Sequence, residues 1–216
     1  MRHILIASAV IATLSACSNG EKTARYLIDP PVTGERLANR LGTTELKDVS
    51  LPDYANAGEV SWQTADGAVR SNTKELWADN PQRAFTQTLA RTISDISGAT
   101  VIGEPWPLAE PPRRTLEVRV ETALAEANGI YRLSGRYFVG DSGAGGSNQA
   151  RSFNIAVPMG TTEPTPAIVA RAQSQAIAQL ARQIAVLGGP GNSVRTSSSA
   201  PRMDDIFSQP LPPLDG

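Results

Sequence analysis

The chain has 216 residues, which favours one folded domain with terminal extensions. Its formal net charge of −1 and pI near 5.9 do not indicate the clustered positive charge of a nucleic-acid-binding protein. The one cysteine, Cys17, and the one histidine, His3, both lie near the amino terminus. A domain that begins after these residues has no cysteine or histidine of its own. It therefore cannot contain a Cys/His zinc site, a nucleophile–histidine pair, a histidine-bound haem or an internal disulfide.

The first 16 residues have the parts of a secretory signal peptide: a basic start, a short apolar run and small residues before a cleavage site. The run is shorter than the roughly 20 residues that cross a bilayer. The sequence LSAC at residues 14–17 resembles the bacterial lipobox, whose cysteine becomes the lipid-carrying first residue of the mature protein. A cleaved signal with an incidental cysteine and a buried apolar helix are the alternatives. We predict a signal peptide over residues 1–16 and lipidation of Cys17.

The residues after the lipobox predict where the protein is anchored. Ser18, and not an aspartate, follows Cys17. By similarity to the sorting of lipoproteins in Gram-negative bacteria, this favours the outer membrane, with the domain facing the periplasm. Several acyl chains on Cys17, palmitate among them, would anchor the protein stably. The lipidated terminus and tether, residues 17–25, span roughly 30 Å at full stretch, so we expect the domain to lie close to the membrane.

The domain itself is predicted over residues 26–188, and it opens with short extended segments. A strand at residues 26–28 ends at two prolines, and a weakly alternating segment follows at residues 45–51. Asp66-Gly67 separates two further extended runs, residues 60–63 and 68–70. Because Gly67 accepts the positive φ of a tight turn, these two runs predict a β-hairpin.

Two helices flank three longer strands. The first helix begins at Asn80-Pro81 and ends before Gly98, and the second begins at Thr165-Pro166 and ends before the Gly188-Gly189-Pro190 stop. Each carries one apolar stripe. Apolar residues alternate along three segments between them, which we expect to form antiparallel strands: residues 115–124, 130–139 and 153–157. The sequence therefore predicts an α+β fold, with a mostly antiparallel sheet and two amphipathic helices packed on one face.

Residues 189–216 are rich in proline, serine and glycine and have few large apolar side chains. Such a composition buries too little surface to offset the entropy of ordering, so we predict a disordered tail. Ile206 and Phe207 belong to a sparse apolar set within this tail. They are candidate partner-binding residues of a short docking peptide, and the alternative is a tail that is simply solvated.

The remaining motifs do not indicate an enzyme. The glycine-rich stretch Gly140–Ser147 lacks the pattern of a phosphate-binding loop and joins two predicted strands, so we expect a mobile hairpin loop. Glu117 and Glu121 share the polar face of a strand with Arg119 between them, which indicates a solvated face. Among the three tryptophans, Trp106 lies between two prolines and is the one expected at an exposed edge, as a third candidate partner-binding residue.

The order of these features resembles the ABC-type transport auxiliary lipoprotein family, the PqiC-like lipoproteins that accompany MCE-type lipid transport systems. The resemblance spans residues 14–188. It rests on six segments in a characteristic order: Leu14–Cys17, Tyr26–Pro30, Val49–Tyr54, Leu76–Asp79, Leu116–Glu121 and Leu180–Ala185.

The resemblance implies a domain similar to the N-terminal domain of TolB, assembled into a homo-oligomeric ring. It also implies partners: an MCE-domain protein, with an associated permease and ATPase, that carries lipids between the inner and outer membranes. No catalytic residue, metal or cofactor transfers from the family, and Cys17 transfers as the lipid attachment site.

Two functions follow from these observations. The first is a non-enzymatic transport accessory that docks the periplasmic lipid conduit at the outer membrane. The second is a structural or assembly lipoprotein of the envelope that binds a periplasmic partner without moving lipid. Lipid bound in a purified complex would favour the first of these functions.

Overall fold

A computed structural model of the chain describes residues 23–31, 34, 36–143 and 146–195. Over these residues nine strands form a single mixed, mostly antiparallel sheet. The strands are β1 (Ala24–Tyr26), β2 (Thr43–Leu46), β3 (Glu59–Gln63), β4 (Val69–Trp77), β5 (Thr100–Gly103), β6 (Arg114–Ala125), β7 (Ile130–Asp141), β8 (Ser147–Pro158) and β9 (Gly191–Arg195). The helices are α1 (Asp53–Asn56), α2 (Pro81–Ser97) and α3 (Pro166–Ala185). The predicted α+β class is confirmed.

The sheet forks at β6. Its main path runs β1-β4-β3-β6-β7-β8-β9, and β2 pairs with a different part of β6 and with β5. On one edge of β6, the carboxyl end pairs with β3 at Ala125, and the amino end pairs with β2 at residues 114–116. Between these two partners, Ser50 bridges to Arg119: its N–H donates to the Val118 carbonyl at 3.0 Å, and its carbonyl accepts from Val120 at 2.9 Å.

The three long strands β6, β7 and β8 form the antiparallel meander that the sequence predicts. They pair in continuous ladders, with one bulge between Val120 and Thr122. Every second residue is buried against α2 and α3, as the alternation predicts: Leu116, Val118, Val120, Tyr131, Leu133, Tyr137, Val139, Phe153, Ile155 and Val157. The opposite face of these strands carries mostly polar and charged side chains, together with Phe138.

Both long helices begin and end near the predicted residues. The Asn80 side chain caps α2 by accepting from the Arg83 N–H at 3.0 Å, and Gly98, at φ 67°, ends the helix with its N–H donated to the Ser94 carbonyl. Thr165 caps α3 in the same way, with Pro166 in its first turn. Both apolar stripes lie in the core, and α2 contacts α3 on the same side of the sheet.

Loss of the α2 cap has a measurable cost. Asn80→Ala should lower the free energy of unfolding by about 1 kcal/mol, because the Arg83 N–H loses its acceptor at the helix start. Chemical denaturation followed by circular dichroism checks this. Asn80→Asp keeps a side-chain acceptor and should stay near wild type, so an equal loss in both variants would contradict a capping role.

The structure corrects the predicted start of the tail. Residues 191–195 form β9, which pairs antiparallel with residues 147–151 of β8, although the prediction places them in a disordered tail that starts at residue 189. Arg151 holds β9 in place: its guanidinium donates to the Gly191 carbonyl at 2.6 Å and to Ser193 Oγ at 3.0 Å. This long-range pairing supplies the order that the local composition lacks.

The other differences concern short elements. The strand predicted at residues 26–28 lies instead at Ala24–Tyr26, where it pairs in parallel with the end of β4. The second arm of the predicted hairpin is longer than expected and reaches Trp77. Neither β5 nor the single-turn helix α1 is predicted, because both are four residues long and β5 is paired by the distant strand β2.

Candidate functional site: the amino-terminal edge and the open sheet face

The amino-terminal edge of the sheet is the part of the fold nearest to the predicted lipid site. Cys17 lies outside the described residues, so its lipidation stays a prediction. The first strand begins at Ala24, seven residues after Cys17, and pairs with Glu75, Leu76 and Trp77 of β4. A membrane anchor at Cys17 would therefore connect to the folded domain through only a short segment.

A side-chain hydrogen bond fastens β1 to this edge. The Tyr26 hydroxyl donates to Glu75 Oε2 at 2.6 Å. This bond to a carboxylate, together with burial and the nearby negative charge, raises the pKa of Tyr26 above its ordinary value. The phenol therefore stays protonated and keeps donating throughout the neutral pH range.

An apolar cleft of about 460 Å³ opens between the end of β1 and the first half of α2. Leu27 lines it and is 71% exposed, and the buried Trp77 forms part of its floor. At the rim, an Arg91 guanidinium nitrogen lies 3.5 Å from an Asp29 carboxylate oxygen in an exposed ion pair. The cleft thus combines apolar walls with a separable charged pair, next to the segment that leads to Cys17.

Trp106 is half-buried and supports its own loop. Its indole N–H donates to the Glu110 carbonyl at 2.7 Å, and its backbone N–H donates to Glu45 Oε1 at 3.1 Å. Lys47 lies 2.8 Å from Glu45 and 3.0 Å from Glu104, beside the cis bond between Glu104 and Pro105. These contacts fold residues 104–110 back onto β2, and a partner-binding role for Trp106 stays a prediction.

The charges around Trp106 stabilise one another. Hydrogen bonds to the Glu45 and Glu104 carboxylates raise the pKa of Lys47, so its ammonium group stays charged. The Asp48 backbone N–H and the Lys47 ammonium group lower the pKa of Glu104. The cluster is therefore an ionised, mutually satisfied support for the loop.

The other motifs of the sequence are placed as loops or exposed faces. The glycine-rich stretch joins β7 to β8, as expected, and the Gly143 N–H donates to the Asp141 carboxylate at 2.9 Å. Glu117 pairs with Arg119 on the same strand at 2.6 Å, and Glu121 is exposed. Ile206 and Phe207 lie outside the described residues, so their role in partner binding stays a prediction.

The face of β6, β7 and β8 opposite the helices is open over the described part of the chain. Arg119 of β6 lies directly across from Arg136 of β7. Phe138, two residues further along β7, lies near both: the guanidinium carbons are 5.1 Å and 5.3 Å from the centre of its ring. The sequence does not predict this group, because the strand register that brings its residues together is not visible in the pattern of either strand alone.

The described residues contain no group of three or more histidine, cysteine, aspartate or glutamate side chains placed to hold a metal ion. Within the same residues, no helix has the length and apolar character needed to cross a bilayer.

Two solved structures show the same fold as this chain. One, an uncharacterized protein, superimposes with a TM-score of 0.57 and 21% identity over 72% of this chain and 99% of that chain. A Xanthomonas campestris protein of the DUF330 family superimposes with a TM-score of 0.53 and 14% identity over 76% of this chain and 93% of that chain. A dodecameric PelC variant from Paraburkholderia phytofirmans has a TM-score of 0.33, with 14% identity over 69% of this chain and 94% of that chain. At these identities the first two similarities describe the fold alone.

Comparison at the sequence level identifies the family. Among curated proteins the chain has no match. The family model for the ABC-type transport auxiliary lipoprotein component matches residues 26–185, from the end of β1 to the end of α3. The match thus covers both long helices and the strands β2 to β8. It includes only the last residue of β1, and β9 lies outside it. The chain therefore belongs to the family of ABC-type transport auxiliary lipoprotein components.

Proposed function

We propose that this protein is a non-enzymatic accessory of an ABC/MCE-type system that moves lipids between the inner and outer membranes. In this proposal it is anchored by lipid on Cys17 in the outer membrane and faces the periplasm. The observation that carries the proposal is the family match over nearly the whole folded region, directly behind a lipobox-like sequence. The six residues between Cys17 and β1 support it, since a tether of that length would keep the domain beside the membrane.

The proposed partners are an MCE-domain protein and its permease and ATPase, and the proposed assembly is a homo-oligomeric ring that docks the end of the periplasmic conduit. The apolar cleft beside β1 fits this position, because it opens next to the segment that leads to the membrane. Neither partner contact requires a catalytic group, so the domain acts by binding and by where it is held.

Removal of the anchor tests the membrane part of the proposal. Cys17→Ala should move the protein from the membrane to the soluble fraction and abolish transport, because the thiol that accepts the lipid is gone. Fractionation and a lipid-transport assay in a strain that lacks the wild-type protein measure both effects. A folded Cys17→Ala protein that stays in the membrane, or that still supports transport, would contradict the anchoring proposal.

Ser18→Asp is the matched control, because it keeps the acylated cysteine and changes the residue that we expect to direct sorting. This variant should remain in the membrane fraction and shift from the outer to the inner membrane on a density gradient. If it stays in the outer membrane, the proposed sorting by Ser18 is wrong while lipidation of Cys17 still stands.

A crosslinked pull-down from membranes tests the partners. We expect an MCE-domain protein and bound lipid in the purified complex. Recovery of envelope assembly proteins, with neither an MCE protein nor lipid, would favour the alternative of a structural lipoprotein that moves no lipid.

A further inference from the structure

The open face of the sheet has an unbalanced charge at its centre. Arg119 and Arg136 are cross-strand neighbours, and like charges placed directly opposite each other destabilise a ladder. Glu117 neutralises Arg119 at 2.6 Å. Over the described residues no carboxylate lies within ion-pairing distance of Arg136, which is exposed. Its hydrogen-bond donors are therefore available to an anion.

Phe138 adds an apolar element to this group. Its half-buried ring is flanked by both guanidinium groups, which restricts their orientation through cation–π contacts. The neighbouring residues across from it on β8 are small, since Ala150 pairs with Phe138 and Ser152 pairs with Arg136. The result is a shallow site that presents two guanidinium groups around one aromatic ring, and it suits a peptide in which acidic residues adjoin apolar ones.

The carboxyl-terminal segment of the same chain has this composition. Residues 196–216 contain one arginine and three aspartates, a net charge of −2. Two of these aspartates are consecutive and are followed at once by the two largest apolar side chains of the segment's centre, in the order Asp204, Asp205, Ile206, Phe207. Its charge is thus opposite to that of the site, and it supplies an aromatic side chain to match Phe138.

The segment starts close enough to reach this site. It follows Arg195 of β9, which pairs with Ser147 of β8, and β8 lies directly beside β7. Two strand spacings, about 10 Å, separate β9 from β7. Phe138 lies only a few residues, about 10 Å, further along the strand direction. The nine residues from Arg195 to Asp204 span up to about 30 Å, which covers both distances and a turn around the sheet edge.

We propose that residues 203–208 of the chain dock on the open face of their own sheet. The Asp204 and Asp205 carboxylates bind the guanidinium group of Arg136, while Arg119 stays paired with Glu117, and Ile206 and Phe207 pack beside Phe138. This contact is independent of lipidation and of transport. Through this contact the apolar residues of the tail would pack against the sheet of the same monomer.

Photo-crosslinking in the full chain tests this contact. Phe207 is replaced by p-benzoylphenylalanine, and the irradiated protein is digested and analysed by mass spectrometry. We expect a product of monomer mass in which residue 207 is joined to β6 or β7. A product of dimer mass, a crosslink to another protein, or no crosslink to the open face would each overturn the proposal.

Charge reversal supplies the specificity control. Arg136→Glu should lower the crosslink yield by about fivefold or more, and raised salt should lower it in the unmodified chain, because the contact depends on exposed charges. Arg171→Glu makes the same change on an exposed residue of α3, on the other side of the sheet, and should leave the yield unchanged. Equal yields in the two variants would show that Arg136 does not hold the segment.

Discussion

Gly135→Ala should lower the free energy of unfolding by about 3 kcal/mol or more, enough to unfold much of a marginally stable domain. Gly135 lies in the middle of β7, opposite Val120 at the bulge of β6. A Cβ at this position would lie 2.1 Å from the Arg119 carbonyl oxygen and 2.9 Å from the Phe153 ring. The carbonyl belongs to the backbone of the central strand, so relief requires a shift of the strand itself. Urea denaturation followed by circular dichroism measures the loss.

Gly140→Ala is the matched control for this prediction. It makes the same change on the same strand, where a Cβ would lie 3.9 Å from the Thr115 carbonyl oxygen, an ordinary contact. Its effect should stay within about 0.5 kcal/mol, because an added Cβ would meet no atom closer than 3.9 Å. Similar losses of stability in the two variants would show that the strand propensity of alanine determines the effect, and not the close approach at the bulge.

Phe85→Ala should cost about 3–5 kcal/mol, the range for removal of a fully buried aromatic ring. Phe85 has no exposed surface and lies on the inner stripe of α2, within the cluster that joins both long helices to the sheet. Its loss would leave a cavity between elements that are already fixed by their caps and ladders, so the surroundings collapse only partly. Thermal unfolding of the purified full chain measures the change in stability.

Two variants serve as controls: one tests the buried volume at position 85, and the other tests whether α2 is sensitive to any substitution. Phe85→Leu keeps most of the buried volume and should cost less than about 1.5 kcal/mol. Gln87→Ala alters an exposed residue of the same helix and should have an effect within about 0.5 kcal/mol. A large loss in Gln87→Ala would mean that α2 is sensitive along its whole length, and the cavity argument would fail.

The parts of the fold that are predictable from sequence are those set by local patterns. The alternation along residues 115–124 and 130–139, with Asn128-Gly129 between them, specifies two strands and their turn before any contact is known. Asn80 and Gly98 mark the ends of α2 because each satisfies backbone groups within its own turn. These signals depend on neighbours in the chain, so one sequence is enough to read them.

The parts that are missed depend on distant partners. The strand β9 has a composition typical of disorder and is ordered because β8 and Arg151 bind it. Likewise, β5 exists because β2 lies beside it in parallel, more than 50 residues earlier in the chain. The Arg119–Arg136–Phe138 group could not be predicted either, because its members meet only through the register of β6 and β7. The open-face group therefore depends on tertiary structure, while the predicted lipid site is a local sequence pattern.

The fork at β6 has a consequence for self-association. A strand that changes partners along its length would normally leave backbone groups unpaired at the junction, and such an internal edge would invite strand addition by another molecule. Here Ser50 pairs with β6 at the junction, and the Tyr54 hydroxyl accepts the Ala123 N–H at 3.2 Å. The junction is thus sealed by the connection between β2 and β3. Over the described residues, strand addition is therefore confined to the outer edges of the sheet, where β1, β5 and β9 each have one partner strand.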